Sequence, residues 1–197
     1  RANCLPAIRP NSSCRITTVN FQGKHVHCVG IGGAGVQALA EFLLRSGSTV
    51  SGSDQAESDA IYRLQRLGAR VATRHDAAQL PAETSCLVYS PAVKEDNPER
   101  RAARERGVRE LSYPEALGEL MASRRGIAVA GTHGKSTTTG MVGWLLDQAG
   151  LDPTVIVGAT VPQLGGPSRV GAGEAFVAES CEFGRSFHNL RPQVAAV

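Results

Sequence analysis

The sequence predicts an α/β protein whose short parallel strands alternate with helices in a doubly wound sheet. Three observations predict it. Apolar runs of four or five residues alternate with amphipathic segments at helical spacing, the pattern of parallel strands joined by crossover helices. Two of those runs lead straight into glycine-rich turns that open helices, Gly30 to Gly35 and Gly131 to Gly134. Finally, no apolar run approaches the ~18 residues that a membrane-spanning helix needs, so the apolar content serves a packed core.

Residues 1–22, with two prolines and several Ser, Thr and Asn, are expected to form a loose leader. His25 to Val29 is the first predicted strand. Val36, Leu39, Ala40, Leu43 and Leu44 recur at i, i+3, i+4, i+7 and i+8, the buried face of a helix that Gly47 can end. Thr49 to Ser53 is the next strand. Ile61, Leu64 and Leu67 mark a helix stopped by Gly68, and Val71 lies in a short third strand. Cys86 to Tyr89 is a fourth, closed by Ser90-Pro91. Pro98 suits the first turn of a helix, Val108 to Leu111 is a weak strand, and Pro114 opens a helix through Ala122. The pattern restarts at Gly126 after Ser123-Arg124-Arg125. It predicts a strand over Ile127 to Ala130, a helix through Ala149 and a strand over Thr154 to Val157. A Gly/Pro-rich loop from Gly158 to Gly173 and strands at Ala175 to Ala178 and Val194 to Val197 follow. Three segments result: a leader over 1–22, a Rossmann-like unit over 23–123, and an α/β unit over 124–197 that reads as the start of a longer domain.

Composition narrows the function. A net charge of +3 is too slight to imply nucleic acid, and no membrane insertion is expected. The densest basic stretch, Arg100 to Arg109, is interleaved with glutamates and reads as a solvated helix face. Five cysteines show no CxxC pair, and Cys28 and Cys86 sit inside apolar runs as small hydrophobes, which favours a cytoplasmic protein without disulfides or structural zinc.

The first glycine turn, Gly30-Ile31-Gly32-Gly33-Ala34-Gly35, matches a dinucleotide fingerprint. Asp54 ends the second strand where that fingerprint wants an acid for a ribose hydroxyl. The underlying requirement is a diphosphate on a helix N-terminus, which a uridine-diphosphate sugar also carries, so both ligands stay open here. The second turn, Gly131-Thr132-His133-Gly134-Lys135-Ser136-Thr137, is a phosphate cradle. Its glycines turn backbone N–H groups inward, Lys135 adds a full charge, and the Ser136 hydroxyl can ligate Mg²⁺. Only three of the 21 basic residues are lysine, which makes a chance lysine at this place improbable. The spacing is two residues shorter than the general phosphate-loop rule.

Together, Val-Gly-Ile-Gly-Gly-Ala-Gly (29–35), Gly-Ser-Asp (52–54), Ser-Pro-Ala-Val (90–93), Asn-Pro-Glu (97–99) and Gly-Ile-Ala-Val-Ala-Gly-Thr-His-Gly-Lys-Ser-Thr-Thr-Thr (126–139) closely resemble the Mur ligases. The resemblance runs from about Lys24 to Val197, and the short phosphate loop is that family's own form. It implies a Rossmann-like UDP-substrate domain followed by an incomplete P-loop ATPase domain. The implied reaction passes the ATP γ-phosphate to the carboxylate of UDP-N-acetylmuramate, and L-alanine then attacks the acyl phosphate during peptidoglycan synthesis. By position, Gly30, Gly32, Gly33, Ala34 and Gly35 would hold the UDP compound, with Asp54 and Ser90 near its uridine. Gly131, Thr132, His133, Gly134, Lys135, Ser136 and Thr137 would bind ATP, Lys135 acting in catalysis. Ser136 and Glu179 would ligate Mg²⁺.

The family's acidic segment departs here to Glu179-Ser180-Cys181-Glu182-Phe183-Gly184, with Cys181 and Gly184 in place of two aspartates. The remaining family parts are expected beyond Val197, so the chain is expected to be inactive alone. Two other readings stay open from the residues alone: an NAD-dependent oxidoreductase, which leaves the loop at Gly131 without a role, and a nucleotide-binding regulatory module.

Overall fold

The computed structural model describes residues 21–181 and 187–197. Cys4, Cys14, Glu182 and most of the expected leader lie outside them. At the leader's end Phe21 is buried, and its carbonyl accepts from Ser48 Oγ at 2.8 Å and from the Lys24 N–H at 3.0 Å. Packing therefore includes Phe21 of that segment.

The first sheet is wholly parallel. Its strands β1 (His25–Val29), β2 (Thr49–Ser53), β3 (Arg70–Ala72), β4 (Cys86–Tyr89) and β5 (Arg109–Ser112) stand in the order β3-β2-β1-β4-β5. The order reverses between β1 and β4, where open α/β sheets bind ligands. Between the strands run α1 (Ala34–Arg45), α2 (Asp59–Arg66) and α3 (Pro98–Glu105), and α4 (Tyr113–Ala122) follows β5. The predicted face of α1 is buried through Val36, Leu39, Ala40 and Leu43.

A second sheet holds β6 (Arg125–Val129), β7 (Thr154–Val161), β8 (Gly166–Arg169), β9 (Ala175–Glu179) and β10 (Val194–Ala196) in the order β10-β6-β9-β7-β8. Helix α5 (Lys135–Gln148) follows β6. All pairs are parallel except β7 with β8. That hairpin corrects the expected loop from Gly158 to Gly173. β7 continues past Val157, a short 3-10 turn covers Pro162–Leu164, and Pro167 is accommodated in β8, an edge strand with one neighbour.

Helix α1 packs against both sheets. Leu39, Phe42 and Leu43 share one apolar core with Ile156, Phe176 and Ala178 of the second sheet, and the Phe42 and Phe176 rings meet edge to face at 6.4 Å. Glu41, fully buried on the same helix, accepts from Arg45 and Arg63 at 2.9 Å each, and Arg63 Nη2 also donates to the Gly165 carbonyl. The polar end of that interface is thereby closed across the two sheets.

The basic stretch is only partly a solvated face. Arg100 is buried over the Tyr89 ring, pairs with Glu110 and donates to the Val93 carbonyl at 2.9 Å. Arg104 donates to the Glu95 carbonyl and Arg106 to those of Leu80 and Pro81. These arginines hold loops in place, a use that charge alternation does not reveal.

Candidate functional site

Two features single out the glycine turns. Helices α2, α3 and α4 start on side-chain caps from Ser58, Asn97 and Ser112, the last a full capping box. Helices α1 and α5 start on Gly33 and Gly134 with no side-chain cap. Without a side-chain cap, such a helix start suits an anion, to which backbone N–H groups can donate and which the helix dipole also favours.

The first turn lies at the carboxyl end of β1. Gly30 has φ +75°, and a Cβ there would stand 3.0 Å from that of Ser90, so both backbone and space demand glycine. Asp54 supports the turn from β2: its Oδ2 accepts the Gly32 N–H at 2.8 Å, and its Oδ1 accepts from Gln55 and Ala56. Both carboxylate oxygens therefore hold backbone, although the residue still lines the cavity. Gly30, Gly32, Gly33, Asp54 and Ser90 surround a cavity of about 920 Å³, together with His75, Lys94 and Asn97. Sequence reasoning missed His75 and Lys94, which sit in loops without a motif of their own.

Ala34 and Gly35 face a smaller cleft of about 310 Å³, which Gly33 and Ser90 share. Gly35 also has a packing role, since a Cβ there would press within 2.8 Å of the Tyr113 ring. Burial pushes the Tyr113 hydroxyl far above its ordinary value, with the charge of Glu179 next in effect. Glu179, Gly158 and Cys181 of the second sheet line the same cleft. It therefore connects the first glycine turn to the end of β9.

The second turn lies at the end of β6, beside β9, with Val129 opposite Glu179. Gly131 and Gly134 take φ +128° and +77°. Lys135 bends back over the loop, its Nζ donating to the Gly131 carbonyl at 2.7 Å. Ser136 Oγ donates to Glu179 Oε2 at 2.7 Å, so the two expected metal ligands meet. Thr132, His133, Gly134 and Thr137 are exposed along the same loop and first turn. A hydroxyl and a carboxylate suit Mg²⁺, which keeps waters and substrate phosphates in its remaining positions. Among the described residues no group of three or more His, Cys, Asp or Glu forms a complete protein cage. No described helix is long and apolar enough to cross a membrane.

Comparison with known proteins finds relatives of the whole α/β arrangement. Residues 25–125 match the family model described as Mur ligase family, catalytic domain. The chain is 49% identical over 174 residues to the UDP-N-acetylmuramate–L-alanine ligase of Methylibium petroleiphilum, covering 88% of this chain and 37% of that relative. Among solved structures, the UDP-N-acetylmuramate–alanine ligase of Thermotoga maritima superposes with a TM-score of 0.80 at 31% identity, covering 87% of this chain and 40% of that one. The UDP-N-acetylmuramate:L-alanyl-γ-D-glutamyl-meso-diaminopimelate ligase of Neisseria meningitides gives 0.79 at 30% identity, over 87% and 59%.

Proposed function

The chain belongs to the Mur ligase family, and from that premise we propose that it is the UDP-sugar and ATP portion of a ligase joining L-alanine to UDP-N-acetylmuramate. In this reading residues 23–123 hold the UDP compound and residues 124–197 hold ATP. The chain spans 37% of the length of the alanine ligase it matches, so alanine recognition is proposed for the whole protein.

The observation that carries the reading is the cleft shared by Gly33, Ala34, Gly35, Ser90 and Glu179. A diphosphate on the first turn would leave its sugar free to extend through that cleft toward the phosphate loop. A carboxylate held there would lie beside Glu179, which accepts from Ser136 in the first turn of the helix that follows the phosphate loop. Lys135 would exchange its loop carbonyls for phosphate oxygens and stabilise charge in the transferring group. Ser136 and Glu179 would hold Mg²⁺, which supplies charge neutralisation at the phosphates. The carboxylate oxygen would attack the γ-phosphorus and ADP would leave; the incoming amine would then attack the acyl carbon of the acyl phosphate, losing a proton and releasing inorganic phosphate as the amide forms.

An NAD-dependent oxidoreductase would use the first turn and Asp54 but give no role to Lys135 or to the Ser136–Glu179 pair. The test is calorimetric titration with UDP-N-acetylmuramate, Mg-ATP and NAD. Saturable heats from the first two and none from NAD are expected. Tight NAD binding with indifference to the UDP compound would refute the reading.

A further inference from the structure

A chain of polar side chains crosses the buried region between β1, β2 and α3 and ends at the larger cavity. His25 Nε2 and His27 Nδ1 each lie 2.8 Å from Ser51 Oγ. His27 Nε2 lies 3.3 Å from Glu99 Oε2, and Ser53 Oγ donates to that oxygen at 2.5 Å. Ser53 Oγ also lies 2.8 Å from His75 Nδ1, and the Asp76 N–H donates to Glu99 Oε1 at 3.1 Å. His27, Ser53 and Glu99 are fully buried, while His75 lines the cavity.

A carboxylate removed from water is costly unless its partners replace the lost hydration. Burial alone would raise the Glu99 carboxyl. Hydrogen bonds from His27 and Ser53, the charge of His27 and the Asp76 N–H outweigh burial and hold it below its ordinary value. An ionised carboxylate only accepts, and that single fact orders the protons along the chain. His27 must give its Nε2 proton to Glu99. Ser53 spends its only proton on Glu99, so its oxygen must accept from His75 Nδ1–H. In the Nδ1–H tautomer of His75, Nε2 is a bare acceptor, an atom that makes no hydrogen bond among the described residues.

We propose that Glu99 is a positioning residue which, through Ser53, fixes the His75 proton on Nδ1 and leaves Nε2 to accept a hydrogen bond from the uridine of the bound nucleotide. The inference rests on the UDP reading above. The donor is either the imide N–H of the base or the ribose 2′-hydroxyl, and each would be read by the same acceptor.

Two measurements test it. Long-range ¹H–¹⁵N NMR of the histidine rings in the unliganded chain should show His75 as the Nδ1–H tautomer near neutral pH, and Glu99→Gln should shift it toward Nε2–H. An Nε2–H tautomer in the unaltered chain, or no change in Glu99→Gln, overturns the proposal. If Glu99→Gln does not fold, Ser53→Ala removes the intermediary alone and should give mixed tautomers; an unchanged pure Nδ1–H form overturns it. Calorimetric titration with UDP, CDP and 2′-deoxy-UDP then identifies the donor. CDP weaker by about tenfold assigns the imide, and 2′-deoxy-UDP weaker by about tenfold assigns the ribose. Equal affinity for all three overturns recognition by His75. Failure of every uridine nucleotide to bind refutes the proposed function, whereas the wrong tautomer refutes only the part played by Glu99.

Discussion

The turn after β1 is braced by a carboxylate, whereas the turn after β6 is braced by an ammonium group. Asp54 takes the Gly32 N–H, and Lys135 takes the Gly131 carbonyl. Each brace consumes the opposite kind of backbone group. In the proposed function an acid beside the first turn would repel a diphosphate, so that site would rely on first-turn N–H groups, on Lys94 and on enclosure within about 920 Å³. The second turn has a full positive charge and an acid–hydroxyl pair beside it, so in that reading it would rely on charge and on a metal. On the proposed function, the same strand–turn–helix plan would yield a shape-dominated site and a charge-dominated one.

Removing the Lys135 charge should separate the two most sharply. A unit charge at about 4 Å contributes roughly 4 kcal/mol at an effective dielectric near 20. Lys135→Ala should therefore weaken Mg-ATP by about a hundredfold or more while leaving UDP-N-acetylmuramate affinity unchanged, as read by calorimetry. Equal losses for both ligands would show that the sites are not independent.

Gly158→Ala comes next. A Cβ there would stand 2.0 Å from Glu179 Oε1, so the carboxylate must move off Ser136. Mg-ATP affinity should fall about tenfold, by the loss of one charge-assisted ligand, with a smaller effect on UDP binding. Unchanged Mg²⁺ dependence of ATP binding would remove Glu179 from the metal site.

Asp54→Asn keeps the shape but turns one acceptor into a donor facing a backbone N–H. Hydrogen bonds to charged groups contribute about 1.5–3 kcal/mol, so thermal stability should drop and UDP affinity should fall several-fold, with ATP unaffected. A gain in UDP affinity would instead mean that charge repulsion outweighs bracing. Raising salt should produce a milder contrast, because the Debye length is only about 8 Å at physiological ionic strength. ATP should weaken with added salt more steeply than the UDP compound.

The smallest effect concerns acid. Burial holds His25 below its ordinary 6.5, against the opposing pull of Glu83. Glu99 lies below its ordinary 4.5 for the reasons given above. In both cases the unfolded chain takes up the proton first. The stability these groups confer is complete above the unfolded values and is lost on acidification, from about pH 6.5 for His25 and about pH 4.5 for Glu99. Melting temperatures measured from pH 8 downward should fall in that order, and a flat profile would contradict the buried chain.

Much of this was legible in the residues because parallel strands buried on both faces read as apolar runs and glycine marks their turns. The strand Val108 to Leu111 moved by a single residue, to Arg109–Ser112. The β7–β8 hairpin was not legible, since Gly165, Gly166 and Pro167 look like loop chemistry and only pairing with β7 makes β8 a strand. Arg100 and Glu99 looked like solvated charges of an amphipathic helix, and tertiary partners on β1, β2, β4 and β5 bury them. The pairing of Ser136 with Glu179 was anticipated only through family resemblance, because 43 residues separate them and no local pattern links them.

Backbone amide NMR during titration with UDP-N-acetylmuramate, then with Mg-ATP, addresses the division of labour most directly. The UDP compound should shift Gly30 to Gly35 and Ser90 to Asn97 first, and Mg-ATP should then shift Gly131 to Thr137 without displacing it. Shifts from both ligands confined to a single turn, or displacement of one by the other, would contradict two distinct anion sites on this chain.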